Sequence, residues 1–439
     1  MKTNRLWIPG LGILFCVLGY GAIAYGIERA ESLKLLGAYS LAFVGYGLLV
    51  QHTTHWKRVL FLGLGLRLLF LTASPTLSPD FFRFIWDGHL QMSGGNPYLF
   101  SPQAYFTPDL FPLAEKLYHG MGALHQTYPS IYPPASQLVY RLVAALAGDE
   151  LATNILWLRG LQWALEVGVF FAGIALLKTL RLPLKNMGWY YLNPLVIIEL
   201  SGNLHAEAIL IFFWAWGLVA LLRKNALGAG LWLGSAVAAK LLPLVLLPLI
   251  VRYLNPKKIL VFGVSFLLTL VLWWFPFWHA ELVSNYLQTL SLWFNTFEFN
   301  ASVYYLYRWL GYQWAGYNII ASWGLWVPPL LILGIVGYSL FRPVQTAKIF
   351  VERLLWILTV YFLVSTTVHP WYLLSVAFIG MLTPCRFWLL WTYTCFWSYT
   401  AYGETTVQEN LWLVGLGYAL VLGMILYEQR AKNNLLTGH

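Results

Sequence analysis

Long apolar runs with almost no charge inside them constrain this chain more than any other feature. Leu6 to Ile27, Ile155–Leu177, Ile259–Trp278 and Tyr317–Phe341 are each about as long as the ~20 residues a helix needs to cross a bilayer. The runs do not alternate apolar with polar residues, which excludes a membrane barrel. Of the 439 residues, 59% are hydrophobic and 10% charged, against roughly 25% charged in soluble domains. A soluble chain of this composition could not cover its surface with polar atoms. Cytosolic enzymes, disordered proteins and nucleic-acid binders are thereby excluded. The expected fold class is an all-α polytopic membrane protein, because only helices and closed barrels satisfy the backbone in lipid.

Shorter apolar runs lie at Leu35–Val50, Val59–Thr72, Met187–Leu200, Ala206–Leu222, Ala226–Ala239, Leu241–Val251, Phe350–Val368, Trp371–Leu382, Phe387–Tyr402 and Leu411–Tyr427. Some, such as Met187–Leu200 and Ala226–Ala239, are too short to cross straight, which predicts broken or half helices lining a polar cavity. The first run is too long for a cleavable signal peptide. With the amino terminus inside and the runs alternating, eighteen of the 27 basic residues fall on the inner face. They are Lys2, Arg5, Lys57, Arg58, Lys178, Arg181, Lys185, Arg223, Lys224, Arg252, Lys257, Lys258, Arg342, Lys348, Arg353, Arg386, Arg430 and Lys432. Only Glu352 and Glu428 of the 17 acidic residues join them. This bias fixes the orientation, with both termini cytoplasmic. It also makes Ala135–Ala147 a re-entrant or juxtamembrane helix, since a span there would put the Lys178–Lys185 cluster outside. The expectation is about 13–14 transmembrane or re-entrant helices in a single integral membrane domain, 1–439. Its parts are amino-terminal spans 1–72, a first long outer loop 73–154, central spans 155–278, a second long outer loop 279–316 and carboxy-terminal spans 317–439.

Loops this long are usually functional. After Ser78-Pro79, the spacing predicts a helix on which Asp80, Phe84 and Asp87 share one face. Phe81, Phe82 and Ile85 would form an apolar face resting on the bilayer. Gly94-Gly95-Asn96-Pro97 reads as a turn that folds Tyr98 back. In a plainer reading Asp80 caps the helix and Asp87 pairs with Arg83.

Asp80 with Arg83-Phe84-Ile85-Trp86-Asp87-Gly88, Gln91 and Gly95-Asn96-Pro97-Tyr98 resembles the first outer loop of GT-C class integral membrane glycosyltransferases. The nearest likeness is to bacterial polyprenyl-phosphate-mannose-dependent α-mannosyltransferases, and a distant one is to the first mannosyltransferase of GPI-anchor assembly. It recurs in Tyr132-Pro133-Pro134, Asn193-Pro194, Ser201-Gly202-Asn203-Leu204-His205, Lys240-Leu241-Leu242-Pro243, Glu298-Phe299-Asn300-Ala301-Ser302 and His369-Pro370-Trp371-Tyr372. The resemblance implies a lipid-linked sugar donor, an inverting transfer and, by position, Asp80 as the catalytic carboxylate. Some relatives carry two acids one residue apart there. This chain has Pro79 and no further acid until Asp87, which leaves Asp87 open as a second acid.

A polyprenyl phosphate leaves without protonation but needs cations for the charge that develops, and the acceptor hydroxyl needs a base. Lys240, between two apolar stretches, is the leading phosphate ligand; snorkelling is its plain alternative. Arg308 and His369 join it, against plain readings as a cation among interfacial aromatics and as a structural histidine. Arg83, Gln91, Asn96, Tyr98, Asn203, His205, Glu207, Glu298, Asn300 and Tyr372 are the candidate sugar or acceptor ligands. Glu207 reads slightly better as a helix-dipole partner, and Glu298 and Asn300 also fit a solvated loop. Arg67, Arg159 and Glu166 are most simply an intramembrane ion-pair set.

Cys16, Cys385 and Cys395 form neither a zinc motif nor a disulfide framework. Neither a phosphate-binding glycine loop nor a dinucleotide motif is present. No cofactor and no metal site is expected; a part for a divalent metal stays open. The expected function is a hexosyltransferase moving mannose from a polyprenyl-phosphate donor to a lipid or glycan acceptor at the outer face of a bacterial plasma membrane. The expected partners are that donor, that acceptor and membrane lipids, with no nucleic acid. The rival is a transporter or flippase of a lipid-linked sugar, using Arg67 and Glu166 as coupling charges.

Overall fold

The computed structural model describes residues 7–341, 343–403 and 406–437. Lys2, Arg5 and Arg342 of the inner basic set lie outside the described residues. The chain is an all-α polytopic membrane protein. Among the described residues six helical stretches are long and apolar enough to cross a membrane: Trp7–Tyr25, Ser32–His52, Leu151–Thr179, Pro256–Phe277, Ile320–Leu340 and Leu411–Lys432.

Helices α1 (Trp7–Tyr25) and α2 (Ser32–His52) form a hairpin. Small residues set its close approach: a Cβ at Gly19 would lie 2.6 Å from the Ala38 carbonyl oxygen. Helix α3 (Trp56–Leu68) leads into the long segment that contains α4 (Asp80–Met92) and α5 (Pro134–Ala147). The long α6 (Leu151–Thr179) follows. Next, α7 (Glu207–Leu222), α8 (Ala226–Ala239) and α9 (Pro256–Trp274) pack in series, with α8 against both others. The second long loop folds as α10 (Leu282–Thr296) and α11 (Val303–Ala315). The chain closes with α12 (Ile320–Leu340), α13 (Ala347–Val364), α14 (Leu373–Gly380), α15 (Phe387–Cys395) and α16 (Leu411–Thr437).

The short apolar runs are broken where the sequence interrupts them. Residues 184–202 form a 3₁₀ turn, two short helices and a π turn rather than one span. Asn193 caps the second of these through its side chain, with Pro194 at the first helical position. Helix α8 ends at Ala239, and Lys240 is extended, with φ −164° and ψ 142°. Such breaks place polar side chains at helix ends, where backbone groups also need partners.

Helix α4 does not offer Phe81 and Ile85 to the bilayer. Both are buried, and Phe82 packs on Gly120. The reason is the 101–133 segment, which folds back over α4: Trp86 meets Phe111 with ring centroids 5.0 Å apart. On the other side α4 docks onto α5, with Phe84 stacked on Tyr140 at 4.7 Å. A Cβ at Gly88 would come 2.3 Å from the Tyr140 carbonyl oxygen. Backbone cannot yield as a side-chain tip can, so Gly88→Ala should destabilise the detergent-solubilised protein by about 2 kcal/mol. Gly10→Ala, where a Cβ meets nothing within 4 Å, should leave the thermal unfolding midpoint unchanged. Equal midpoints for the two variants would show that α4 does not rest on α5 in this way.

Candidate functional site

The ends of several broken helices meet around Asp80. The residue opens α4, where the exposed N–H groups and the helix dipole favour a negative charge. Its Oδ1 accepts a hydrogen bond from His125 Nε2 at 3.2 Å. Oδ2 accepts one from the Tyr132 hydroxyl at 3.5 Å and lies 3.8 Å from His205 Nε2. The carboxylate remains 17% exposed, so a substrate can reach it. Burial raises its pKa, but the hydrogen bond from His125 and the charges of His125 and His205 outweigh it. The carboxyl is held well below the usual range.

His125 is held from behind. Arg83 Nη1 donates to the carbonyl oxygens of His125 and Tyr128, at 2.5 and 3.0 Å. Its Nε pairs with Asp87 Oδ1 at 2.7 Å. The other Asp87 oxygen accepts from Ser130 and Gln137, each at 2.8 Å, and Gln91 donates to Gln137 Oε1 at 2.8 Å. Asp87 is therefore fully enclosed, and Arg83 and Gln91 serve the same network. Asn96 donates to the Phe277 carbonyl, and buried Tyr98 to that of Tyr132. A small cleft is lined by Arg83, His125 and Tyr132, the last two being the side chains that bond the carboxylate.

His205 ends the wide π turn Ile198–Gly202 and its exit, where Leu204 adopts a left-handed φ of 63°. Such a backbone costs about 1–3 kcal/mol and persists only when its surroundings hold it. Here Gln162 donates to the Leu204 carbonyl at 2.7 Å, and Arg159 to that of Ser201 at 2.8 Å. Arg159 also caps Leu71 and Ala73. It thus binds three carbonyls, whereas Arg67 and Glu166 form the buried ion pair, at 2.5 Å. His205 Nδ1 sits 3.0 Å from Oε2 of the fully buried Glu199. Glu199 also accepts from Asn203 at 2.9 Å and from the Tyr399 hydroxyl at 2.9 and 3.1 Å. Burial lowers the His205 pKa, but Glu199, with Asp80 and Glu207, more than reverses this, so the net shift is upward.

Lys240 pairs with Glu207 at the start of α7 and lies 3.9 Å from the centroid of the Tyr372 ring. Beyond it runs a ladder of rings. Trp371 stacks on His205 at 3.7 Å and on His369 at 4.4 Å. His369 stacks on Phe299 at 4.8 Å, and Phe299 contacts Tyr402 at 5.6 Å. The two distant sequence blocks meet through backbone hydrogen bonds: Phe299 N–H donates to the Thr366 carbonyl at 3.0 Å, and Val368 N–H to the Phe299 carbonyl at 2.8 Å. Arg29, in the turn between α1 and α2, caps the ladder with its guanidinium carbon 3.1 Å from the Tyr402 ring centroid. Burial and the charges of His205, Lys240 and Arg29 push the His369 pKa down to about 3, despite the opposing charge of Asp80.

Arg308 is placed apart from this group, paired with Glu298, which also accepts from Tyr304 and Asn318. Asn300 is buried and donates to the Val368 carbonyl at 3.0 Å. Among the described residues no group of three or more His, Cys, Asp and Glu is arranged to hold a metal ion.

Residues 35–255, about half of the chain, match the model of the MptA_B family, described as Alpha-(1->6)-mannopyranosyltransferase, N-terminal domain. The chain belongs to this family. The α4 segment, the π turn and Lys240 all fall inside the matched range of this MptA_B family member, whereas Arg29 and His369 fall outside it. The chain is also similar to Alpha-(1->6)-mannopyranosyltransferase B of Corynebacterium glutamicum, with 27% identity over 169 residues. That similarity covers 37% of this chain and 27% of the length of the relative.

Sequence reasoning missed three residues of the site. Glu199 carried a signal, an isolated carboxylate inside an apolar run. His125 carried none, since only the folding back of 101–133 brings it to Asp80. Arg29 sits in a short turn, where a charge is unremarkable. Arg83→Ala should leave Asp87 buried without its cation, lowering stability by about 3 kcal/mol, and it should free the 125–128 segment. Limited proteolysis near residue 125, alongside thermal unfolding, checks both. A midpoint equal to wild type would mean that the pair holds nothing in place.

Proposed function

We propose that this family member is an inverting glycosyltransferase that moves mannose from a polyprenyl-phosphate donor to a lipid or glycan acceptor at the outer membrane face. The observation that carries the reading is the pairing of a reachable carboxylate, Asp80, with cations gathered around His369 at the same helix ends. The family membership supports mannose. The inner-face excess of Lys and Arg supports an outer site.

In this mechanism the acceptor hydroxyl enters beside the cleft at His125 and Tyr132 and directs its proton to Asp80. Its oxygen attacks the anomeric carbon from the side opposite the phosphate, so the configuration inverts. The bond from that carbon to the phosphate oxygen breaks, and its electron pair leaves on the phosphate. No acid is needed for departure, only positive charge placed where negative charge develops.

Lys240 supplies part of that charge, because an ammonium paired with Glu207 keeps further N–H donors. Arg29 supplies the rest. Among the described residues no carboxylate pairs with it, and its Nε is buried without a partner. Neutral His369 between the two cations offers a hydrogen bond from a ring nitrogen that has no partner in the fold. Arg308 would act only after leaving Glu298. The apolar flank of the bundle takes the polyprenyl chain. Tyr372, beside Lys240, borders the sugar position, whereas the Asn203 amide is already committed to Glu199 and Tyr399.

Transfer of radiolabelled mannose from polyprenyl-phosphate mannose by the purified full chain tests the reading. Asp80→Asn should lose activity by about a thousandfold while melting like wild type. Full activity in that variant would remove Asp80 from the mechanism. For the same assay, Arg29→Ala should raise the KM for donor about tenfold, the worth of a charged hydrogen bond to phosphate. An unchanged KM would leave Lys240 as the main phosphate cation.

A further inference from the structure

The low pKa of Asp80 poses a chemical difficulty for the transfer. A carboxylate held so firmly ionised, chiefly by the hydrogen bond from His125, accepts a proton reluctantly and cannot keep it. The geometry behind it offers a second acceptor. His205 Nε2 lies 3.8 Å from Asp80 Oδ2 and Nδ1 lies 3.0 Å from Glu199 Oε2, and neither buried ring nitrogen has an aligned hydrogen-bond partner elsewhere in the fold. A small turn of the carboxyl closes the longer gap to hydrogen-bond length, as happens commonly when substrate binds. The ring cannot swing away, because Trp371 covers its face at 3.7 Å and the backbone at 204 is locked in its left-handed turn. Glu199 is itself fixed by Asn203 and Tyr399, and it is withdrawn from solvent and from the cleft. Nothing in the transfer as described uses it, although a buried carboxylate without function would be a standing cost.

We propose that Asp80, His205 and Glu199 form a proton relay, in which Asp80 passes the acceptor proton to His205 and Glu199 is the positioning residue that holds and stabilises the imidazolium. The inference rests on the transfer reaction proposed above. In the full step the acceptor oxygen bonds the anomeric carbon as the carbon–phosphate oxygen bond breaks. The hydroxyl proton moves to Asp80 and then to His205 Nε2, and the leaving electron pair resides on the phosphate. His205 begins neutral, with its Nδ1–H on the Glu199 side, becomes an imidazolium, and after the product has left returns its proton through Asp80, the one solvent-reaching member, to water before the next turnover. The relay thus restores Asp80 to its ionised form without asking it to hold the proton.

The charged groups around His205 set the sign of the pH dependence. Asp80 on α4, Glu199 in the π turn and Glu207 on α7 favour the imidazolium. Lys240 pairs with Glu207, and His125 bonds Asp80. His369 lies on the far face of Trp371, and Tyr399 donates to Glu199. Since His205 must start neutral, kcat should rise with pH through its folded pKa, which lies above the ordinary 6.5. Removing the Glu199 charge should move this acid limb to lower pH by about one unit.

The experiment is the pH profile of kcat for mannose transfer from polyprenyl-phosphate mannose, using the detergent-solubilised full chain. Glu199→Gln should shift the acid limb downward and lower the plateau kcat at least about tenfold, with the donor KM within about twofold. Tyr399→Phe is a milder variant that removes one donor from Glu199 and leaves more of its charge to His205, so it should shift the limb the opposite way, upward. It also serves if Glu199→Gln does not fold by thermal melting. A merely structural Glu199 would lower activity without moving the limb. A folded Glu199→Gln or an active Tyr399→Phe whose limb stays at the wild-type position overturns the relay, as does wild-type kcat in His205→Gln. A wild type that transfers no sugar from this donor overturns the transfer reading itself. An active wild type with an unmoved limb overturns the relay alone.

Discussion

Four carboxylates, Asp80, Asp87, Glu199 and Glu207, are drawn out of bulk water near the same helix ends, and every one must be met by a cation or donors from another segment. An unpaired buried carboxylate would shift its pKa and neutralise instead. Arg83 and the Ser130–Gln137 pair hold Asp87. Lys240 holds Glu207, and Tyr399, Asn203 and His205 surround Glu199. This requirement ties α4, the 101–133 segment, the π turn and the end of α8 into one arrangement. Asp80 differs from the other three because its partners are histidines and a tyrosine at the rim of a cleft rather than a buried counter-ion.

Backbone irregularity makes that arrangement possible. A continuous helix through 184–202 would bury its own polar groups and present nothing to Asp80. The π turn and the left-handed Leu204 turn the chain so that Glu199 and His205 face each other, and Arg159 and Gln162 on α6 satisfy the carbonyls released by the break. The end of α8 has a similar consequence, since the extended backbone at Lys240 swings the ammonium toward Glu207 and Tyr372. Irregular backbone in so apolar a bundle is tolerated only where protein or a polar cavity receives it, so the breaks and the site are one feature.

The ring ladder from His205 to Tyr402 gives the site a rigid wall. Stacked rings lose little freedom when a substrate binds, which favours preorganised charge over charge that must be moved into place. Its far end is capped by the α1–α2 hairpin through Arg29. That hairpin precedes most of the family-matched region, so a residue of the amino-terminal spans completes a wall built from the second long loop and the carboxy-terminal half.

Much of this was legible in the residue order alone. Uninterrupted apolar runs dictate helices in a membrane, because lipid offers the backbone no other partner. Pro79, Pro194 and Pro243 mark where helices start or break, because proline fixes φ and lacks a donor. The i, i+4 spacing of Arg83 and Asp87 already contains their ion pair. Pairings across long separations were decided only by the fold. Nothing local in Leu124-His125-Gln126 tells that the imidazole will reach Asp80, and nothing in the apolar run Met187–Leu200 tells which histidine its Glu199 will lie beside. The bilayer role expected for Phe81 and Ile85 failed for the same reason. An apolar helix face is equally satisfied by lipid or by protein, and only the chain folding back over α4 chose protein.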